Sequence, residues 1–138
     1  MESIEKLTNI LRSNGMKITP QRLMIFKVLK NNTSHPSAEE IFRRVKRTYP
    51  TVSFTTIYKT LETLRDLGEI KELIIDKDRK HYDPNTDSHH HVICSTCKKI
   101  GDILDDYSPS IKLPDSIKNK YTVSGFQISF YGVCNDCR

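Results

Sequence analysis

The four cysteines of the chain stand as two Cys-x-x-Cys pairs, Cys94/Cys97 and Cys134/Cys137, with 36 residues between the pairs. Two such knuckles can bring four thiolates around one tetrahedral Zn²⁺ at about 2.3 Å each, and no other residue type is needed to close the site. Cysteine has two competing chemistries. Disulfides belong to oxidising compartments, and the N-terminal Met-Glu-Ser-Ile-Glu-Lys-Leu has neither the basic nor the apolar region of a secretory signal. A redox Cys-x-x-Cys usually comes singly, at a helix start beside a βαβ unit. The expectation is a structural zinc on Cys94, Cys97, Cys134 and Cys137.

The histidines are the second signal. Four of the five, His81, His89, His90 and His91, lie between positions 81 and 91. On a strand, residues two apart share a face, so His89 and His91 project together and His90 points the other way, toward solvent. Such a pair is half of a divalent metal site, and Asp83 and Asp102 offer hard oxygen ligands nearby. A His/Asp set suits Fe²⁺, Mn²⁺ or Zn²⁺, whereas an all-thiolate set favours Zn²⁺. The competing reading is a row of histidines on a solvated strand. His81 shares strand parity with Asp83 and is a further possible ligand. His35 stands apart, in a loop of the first half. If it joins His89 and His91, one ion clamps the two halves together, which is what a metal-dependent switch requires.

These side chains need elements to hold them. Residues 1–83 read as four helices and a hairpin. Ile4, Leu7, Ile10 and Leu11 recur at helical spacing before Gly15. Thr19-Pro20 caps and opens a second helix, and Ser37 to Glu40 forms a capping box for a third. Ser53 can cap a fourth helix that turns Ile57, Leu61 and Leu64 inward and ends at Gly68. Strands are expected at Ile70–Ile75 and Arg79–Asp83, joined by Asp76-Lys77-Asp78. This pattern is a winged helix-turn-helix. The outward face of helix four is expected to carry Thr55, Thr56, Tyr58, Lys59, Thr60 and Thr63, a set suited to phosphates and base edges in a major groove. Lys17 and Arg22, near the start of helix two, can reach the flanking DNA backbone.

The polar stretch 84–88 reads as a hinge. Residues 89–138 then read as a small α/β unit, with strands at His89–Ile93, Ile100–Leu104 and Tyr121–Tyr131 and a helix around Ser110–Lys120. The fold class is therefore α+β, a winged-helix domain followed by a small metal-binding dimerisation domain. Of the 138 residues, 36% are hydrophobic and none is Trp, so a small second unit needs a staple such as zinc. Residues 1–80 hold 16 Lys and Arg against 10 Asp and Glu, while residues 81–138 hold 6 against 7. The basic excess of the first part suits a polyanion. The longest apolar run, Leu23 to Phe26, is far short of the roughly 18 residues that span a bilayer, so a cytoplasmic protein without a membrane partner is expected.

Together these features resemble the ferric uptake regulator superfamily of bacterial metal-dependent repressors, across nearly the whole chain. The matching stretches are Ile18-Thr19-Pro20-Gln21-Arg22, His35-Pro36-Ser37-Ala38, Ser53-Phe54-Thr55-Thr56-Ile57-Tyr58, His89-His90-His91-Val92-Ile93-Cys94 and Tyr131-Gly132-Val133-Cys134. The resemblance implies a homodimer that binds a palindromic double-stranded DNA operator when loaded with metal, and a structural zinc on the four cysteines. Within the superfamily the chain looks like the peroxide-sensing repressors, whose regulatory Fe²⁺ or Mn²⁺ site aligns with His35, Asp83, His89, His91 and Asp102. Iron-uptake members generally carry glutamates where Asp83 and Asp102 stand. By the same resemblance, peroxide meeting Fe²⁺ in this site oxidises His89 or His35, and loss of that ligand releases DNA. With Mn²⁺ the site is expected to be much less reactive. On helix four the resemblance points to Tyr58 and Lys59, although peroxide sensors often have asparagine where Lys59 sits. No histidine follows His91, so the further metal site of many members is expected to be absent.

Two alternatives remain at this point: an iron- or zinc-uptake repressor of the same superfamily, and a small metallohydrolase using His89, His91 and Asp102. The second leaves the winged helix unexplained and has no nucleophile or general base beyond the ligands, so no enzymatic activity is expected.

Overall fold

Each of the first four helices begins where a hydroxyl side chain takes up a backbone N–H that the helix itself leaves over. Ser3 accepts from Lys6 N at the head of α1 (Ile4–Ser13), and Thr19 accepts from Arg22 N at the head of α2 (Pro20–Leu29). Ser37 accepts from Glu40 N before α3 (Ala38–Thr48), and Ser53 from Thr56 N before α4 (Phe54–Asp66). Each such cap stabilises its helix by about 1 kcal/mol. Gly15 and Gly68 follow α1 and α4 with φ of 78° and 75°, the left-handed conformation that ends a helix most cheaply at glycine.

The computed structural model describes residues 1–76 and 79–138. The chain forms two units, Met1–Thr86 and Asp87–Arg138. The turn expected at Asp76-Lys77-Asp78 lies outside the described residues at Lys77 and Asp78. No helix among the described residues is long and apolar enough to cross a membrane.

In the first unit the inward faces of the four helices share one core. Leu7 and Leu11, Ile25, Phe26 and Leu29, Ile41 and Val45, and Ile57, Leu61 and Leu64 are all fully buried in it. Truncating one of these leucines to alanine costs about 2–5 kcal/mol. The antiparallel ribbon β1 (Lys71–Asp76) and β2 (Arg79–Asp83) follows, with Glu72 opposite Tyr82 and Leu73 opposite His81. This is a winged helix-turn-helix. Thr60, expected on the outer face of α4, is instead fully buried. It lies between Ile57 and Leu61 on the helix's inward stripe, and its hydroxyl is satisfied by donating to Thr56 O at 2.7 Å.

The second unit is a three-stranded sheet in the order β4-β3-β5. β3 (His90–Cys94) runs antiparallel to β4 (Ile100–Ile103) and parallel to β5 (Ser129–Gly132). Two expectations need correction here. In place of one helix over Ser110–Lys120 there is a 3₁₀ turn at Ser108–Ser110 and a single helical turn, α5 (Asp115–Lys118). Pro114 disfavours helical backbone at the residue before it, so no helix can run through. The strand expected over Tyr121–Tyr131 forms only at Ser129–Gly132. Its pairing to β3 starts at His91↔Ser129, and β3 itself begins at His90, so the earlier residues have no stretch of that strand to pair with.

Candidate metal centres and nucleic-acid surface

The two knuckles meet at one end of the second unit's sheet, where the parallel strands β3 and β5 both finish. β3 delivers Cys94 and the turn after it Cys97, while the chain leaving β5 delivers Cys134 and Cys137. The turn is tight, with Lys98 N–H donating to Cys94 O at 2.9 Å and Lys98 at φ 66°. The four Sγ atoms all lie within 4.8 Å of one another, and Cys97 Sγ is 3.8 Å from Cys134 Sγ. All four are free thiols, and 3.8 Å is far from a disulfide bond of about 2.05 Å. It matches instead the edge of about 3.8 Å that a tetrahedron with Zn–S of about 2.3 Å requires. The N–H groups of Cys134 and Cys97 point at Cys94 Sγ at 3.4 and 3.5 Å and lower its thiol to about 5, so this sulfur is anionic at neutral pH. Cys137 is raised to about 12 by sharing hydrogen bonds with the Cys134 and Cys97 thiols. The donor set fits zinc: one preformed thiolate and three sulfurs arranged for one ion.

The histidines fall into two groups. In the second unit, cross-strand register sets Asp102 of β4 directly opposite His91 of β3. Asp102 Oδ1 is 3.4 Å from His91 Nε2 and 3.1 Å from His89 Nε2, and the two rings are 4.5 Å apart between centroids. His89 Nδ1 lies 2.7 Å from Asp87 O. A carbonyl only accepts, so Nδ1 donates and carries a ring proton, and Nε2 is the nitrogen turned toward the carboxylate. Two lone-pair donors this close call for a cation or a proton between them, and the set suits a divalent ion. The Gln127 side-chain amide nitrogen lies 3.1 Å from His91 Nδ1; an amide N–H only donates, so here Nδ1 is the acceptor and the ring is held from that side.

In the first unit, His35 Nε2 lies 3.2 Å from Asp83 Oδ2, both residues almost wholly buried. β2 leans on the loop before α3: Tyr82 N–H donates to Pro36 O at 2.9 Å, and Ser37 bridges His81. That clasp brings Asp83, at the end of β2, beside His35. Asp83 also accepts from Asn85 N at 2.9 Å.

His90, expected to face solvent, is buried. Its strand position does turn it away from His89 and His91, but at this end of the strand the far face is covered. The ring stacks on Phe126 at 5.4 Å, meets Tyr107 edge-on at 5.2 Å and accepts from Ile128 N at 3.0 Å.

Of the residues read as DNA contacts, Thr55, Tyr58 and Lys59 are exposed on α4 and Thr56 is half-buried. Lys17, Arg22 and Thr56 come together around a cavity of about 240 Å³ at the head of α4, where Ser53 caps the helix. An Arg22 guanidinium nitrogen donates to Lys17 O. Lys80 was not singled out by sequence. Its ammonium lies 5.7 Å over the Tyr58 ring and 3.2 Å from its hydroxyl, and 3.4 Å from Glu72, which also pairs with Arg65 at 2.7 Å. The hydrogen bond to Tyr58 and the pairing with Glu72 raise the Lys80 ammonium's pKa, so it stays charged.

Residues 13–131 match the model of the ferric uptake regulator family. The peroxide-responsive repressor PerR of Staphylococcus saprophyticus is 35% identical over 138 residues, spanning 98% of this chain and 91% of that protein. Among solved structures, the ferric uptake regulator Fur of Helicobacter pylori, described with three functional metal binding sites, superposes with a TM-score of 0.83. At 24% identity over 99% of this chain and 94% of that one, it is a likeness of fold. PerR of Streptococcus pyogenes, described for peroxide sensing and gene regulation, is 31% identical over 100% of this chain and 95% of that one, with a TM-score of 0.55.

Proposed function

The chain belongs to the ferric uptake regulator family, and from that premise we propose that it is a metal-dependent transcriptional repressor that senses peroxide through oxidation of a ligand histidine. One observation carries the reading: each unit holds an incomplete set of nitrogen and carboxylate donors. The first offers His35 and Asp83, and the second His89 and His91 gathered on Asp102. Neither fills the coordination sphere of Fe²⁺ or Mn²⁺, and together they supply five donors of the preferred kind. An ion held by all five favours one arrangement of the two units over every other, which is the differential binding a switch needs.

When bound, Fe²⁺ supplies one-electron chemistry with hydrogen peroxide that Mn²⁺ largely lacks. A ring carbon of His89 or His35 would take up one oxygen atom of hydrogen peroxide in place of its C–H bond, the O–O bond breaking and the second oxygen leaving as water, and the altered ring would no longer donate as imidazole does. The domains are then released from their DNA-binding arrangement. The relatives named peroxide-responsive repressors support this choice of signal.

The four cysteines are the structural zinc site in this reading, and hold the small second unit together. Thr55, Tyr58 and Lys59 meet base edges and backbone from the exposed side of α4, with Lys17 and Arg22 contacting phosphates beside it. Val92 and Phe130, paired across β3 and β5, are each more than a third exposed, an apolar surface suited to burial against a second copy of the chain. A dimer so formed presents two recognition helices and reads an inverted repeat.

The test is fluorescence anisotropy with duplexes carrying inverted repeats, selected from a random pool, with and without Mn²⁺. The expected result is Mn²⁺-dependent binding, and peroxide-driven release from the Fe²⁺ form together with oxygen gain on the peptide holding His89 or His35. Binding indifferent to metal, or release with every histidine intact, contradicts the reading.

A further inference from the structure

The loop that carries His35 is held by a histidine to which the reading above gives no work. His81 sits on β2, 8% exposed, with its Nδ1 2.7 Å from the main-chain oxygen of His35, 46 residues earlier. A carbonyl only accepts, so Nδ1 carries the proton and donates. This bond also takes Nδ1 out of contention as a metal ligand.

What it holds is an uncommon conformation. His35 has φ 53°, the left-handed region that residues with side chains seldom adopt, and Pro36 after it narrows its choices further. Three successive loop residues are tied to β2. His35 is tied by the His81 side chain, Pro36 by the Tyr82 N–H, and Ser37 by its bridge to His81. Only the first tie comes from a side chain, so it alone can be removed without touching the backbone ladder. The imidazole of His35 leaves this fixed backbone toward Asp83.

We propose that His81 is a positioning residue of the sensing site, whose side chain pins the left-handed backbone of His35 and so sets the affinity of the His35–Asp83 pair for the regulatory ion. The inference rests on His35 and Asp83 being ligands, as proposed above. Groups that orient a ligand typically affect metal affinity by about 10–100-fold when removed. His81→Asn keeps an N–H donor close to the position of Nδ1, whereas His81→Ala removes it.

The experiment titrates Mn²⁺ into the full-length, zinc-loaded protein by calorimetry, for wild type, His81→Ala, His81→Asn and His35→Ala. Zinc content and melting temperature are recorded for each. His81→Ala is expected to bind Mn²⁺ at least about tenfold more weakly, and His81→Asn to stay within roughly threefold of wild type. A second measurement needs no variant: long-range proton–nitrogen NMR on the metal-free wild type should show His81 protonated at Nδ1. Wild-type affinity in His81→Ala, no rescue by His81→Asn, or protonation at Nε2 alone overturns the proposal. If His35→Ala loses affinity while His81→Ala does not, only this inference fails. If His35→Ala binds as wild type does, the reading of His35 as a ligand falls, and this inference with it.

Discussion

The two candidate centres differ in how much of each is finished by local structure. The cysteine site is closed within one unit: four sulfurs of one kind lie within 4.8 Å of one another, and two backbone N–H groups keep Cys94 ionised. The histidine and aspartate donors are divided, two in the first unit and three in the second, and each group is buttressed separately. His81 and Tyr82 hold the loop of the first, while Asp87 and the β3–β4 register hold the second. Soft, equivalent, locally gathered ligands suit an ion that never leaves. Mixed hard ligands split between two bodies suit an ion whose arrival is the message.

The sharpest way to break this contrast is to remove one ligand from each centre. Cys97→Ser should lose zinc and with it the cooperative unfolding of the second unit, because apparent structural-zinc binding energies are about 10–16 kcal/mol. Metal analysis and thermal melting followed by circular dichroism check this. His91→Ala should keep its zinc and its melt while Mn²⁺ affinity falls by at least about 100-fold, beyond what a mere supporting group contributes. Equal loss of zinc in both variants would erase the distinction.

Acid probes the cysteine site through its own thiols. Metal-free Cys137, raised to about 12, is protonated at neutral pH and must lose that proton to bind, whereas Cys94, lowered to about 5, is already ionised. Zinc affinity should therefore fall as pH falls, by at least about tenfold per unit between pH 8 and 6. Competition with a chelating dye measures the slope, and a flat profile would refute the assignment.

Smaller effects sharpen the regulatory side. Asp102→Glu should leave Mn²⁺-dependent DNA binding within roughly threefold while cutting peroxide-driven histidine oxidation by more, if Asp102 tunes bound iron. Mass spectrometry of the His89 peptide reads it, and unchanged oxidation would remove Asp102 from that role. Lys59→Ala should weaken DNA binding and lower the salt slope by about one if Lys59 meets a phosphate, or cost about 1–3 kcal/mol at one base pair if it reads a base. Anisotropy over a salt series separates the two.

Much of this was legible in the chain because the signals are local. Caps at Ser3, Thr19, Ser37 and Ser53 act on N–H groups three residues away, and Cys-x-x-Cys is a turn-sized motif. Family membership, too, rests on short motifs in a fixed order. What was missed depends on partners far along the chain. Strand alternation alone puts His90 in solvent, because nothing near it in sequence announces that Tyr107 and Phe126 pack against its ring. Residue type alone puts Thr60 on the outer face, while helical phase sets it in the core. Lys80 became visible only once β2 lay beside α4, and the bond from His81 to His35 only once β2 clasped the loop before α3.

The most direct measurement is a crystal structure of the Mn²⁺-loaded protein with anomalous data at the manganese edge. The expected result is one manganese peak per chain, within coordinating distance of His35 and Asp83 from the first unit and of His89, His91 and Asp102 from the second. A peak held by residues of one unit alone, or separate peaks at the two groups, would contradict the idea that a single ion joins them.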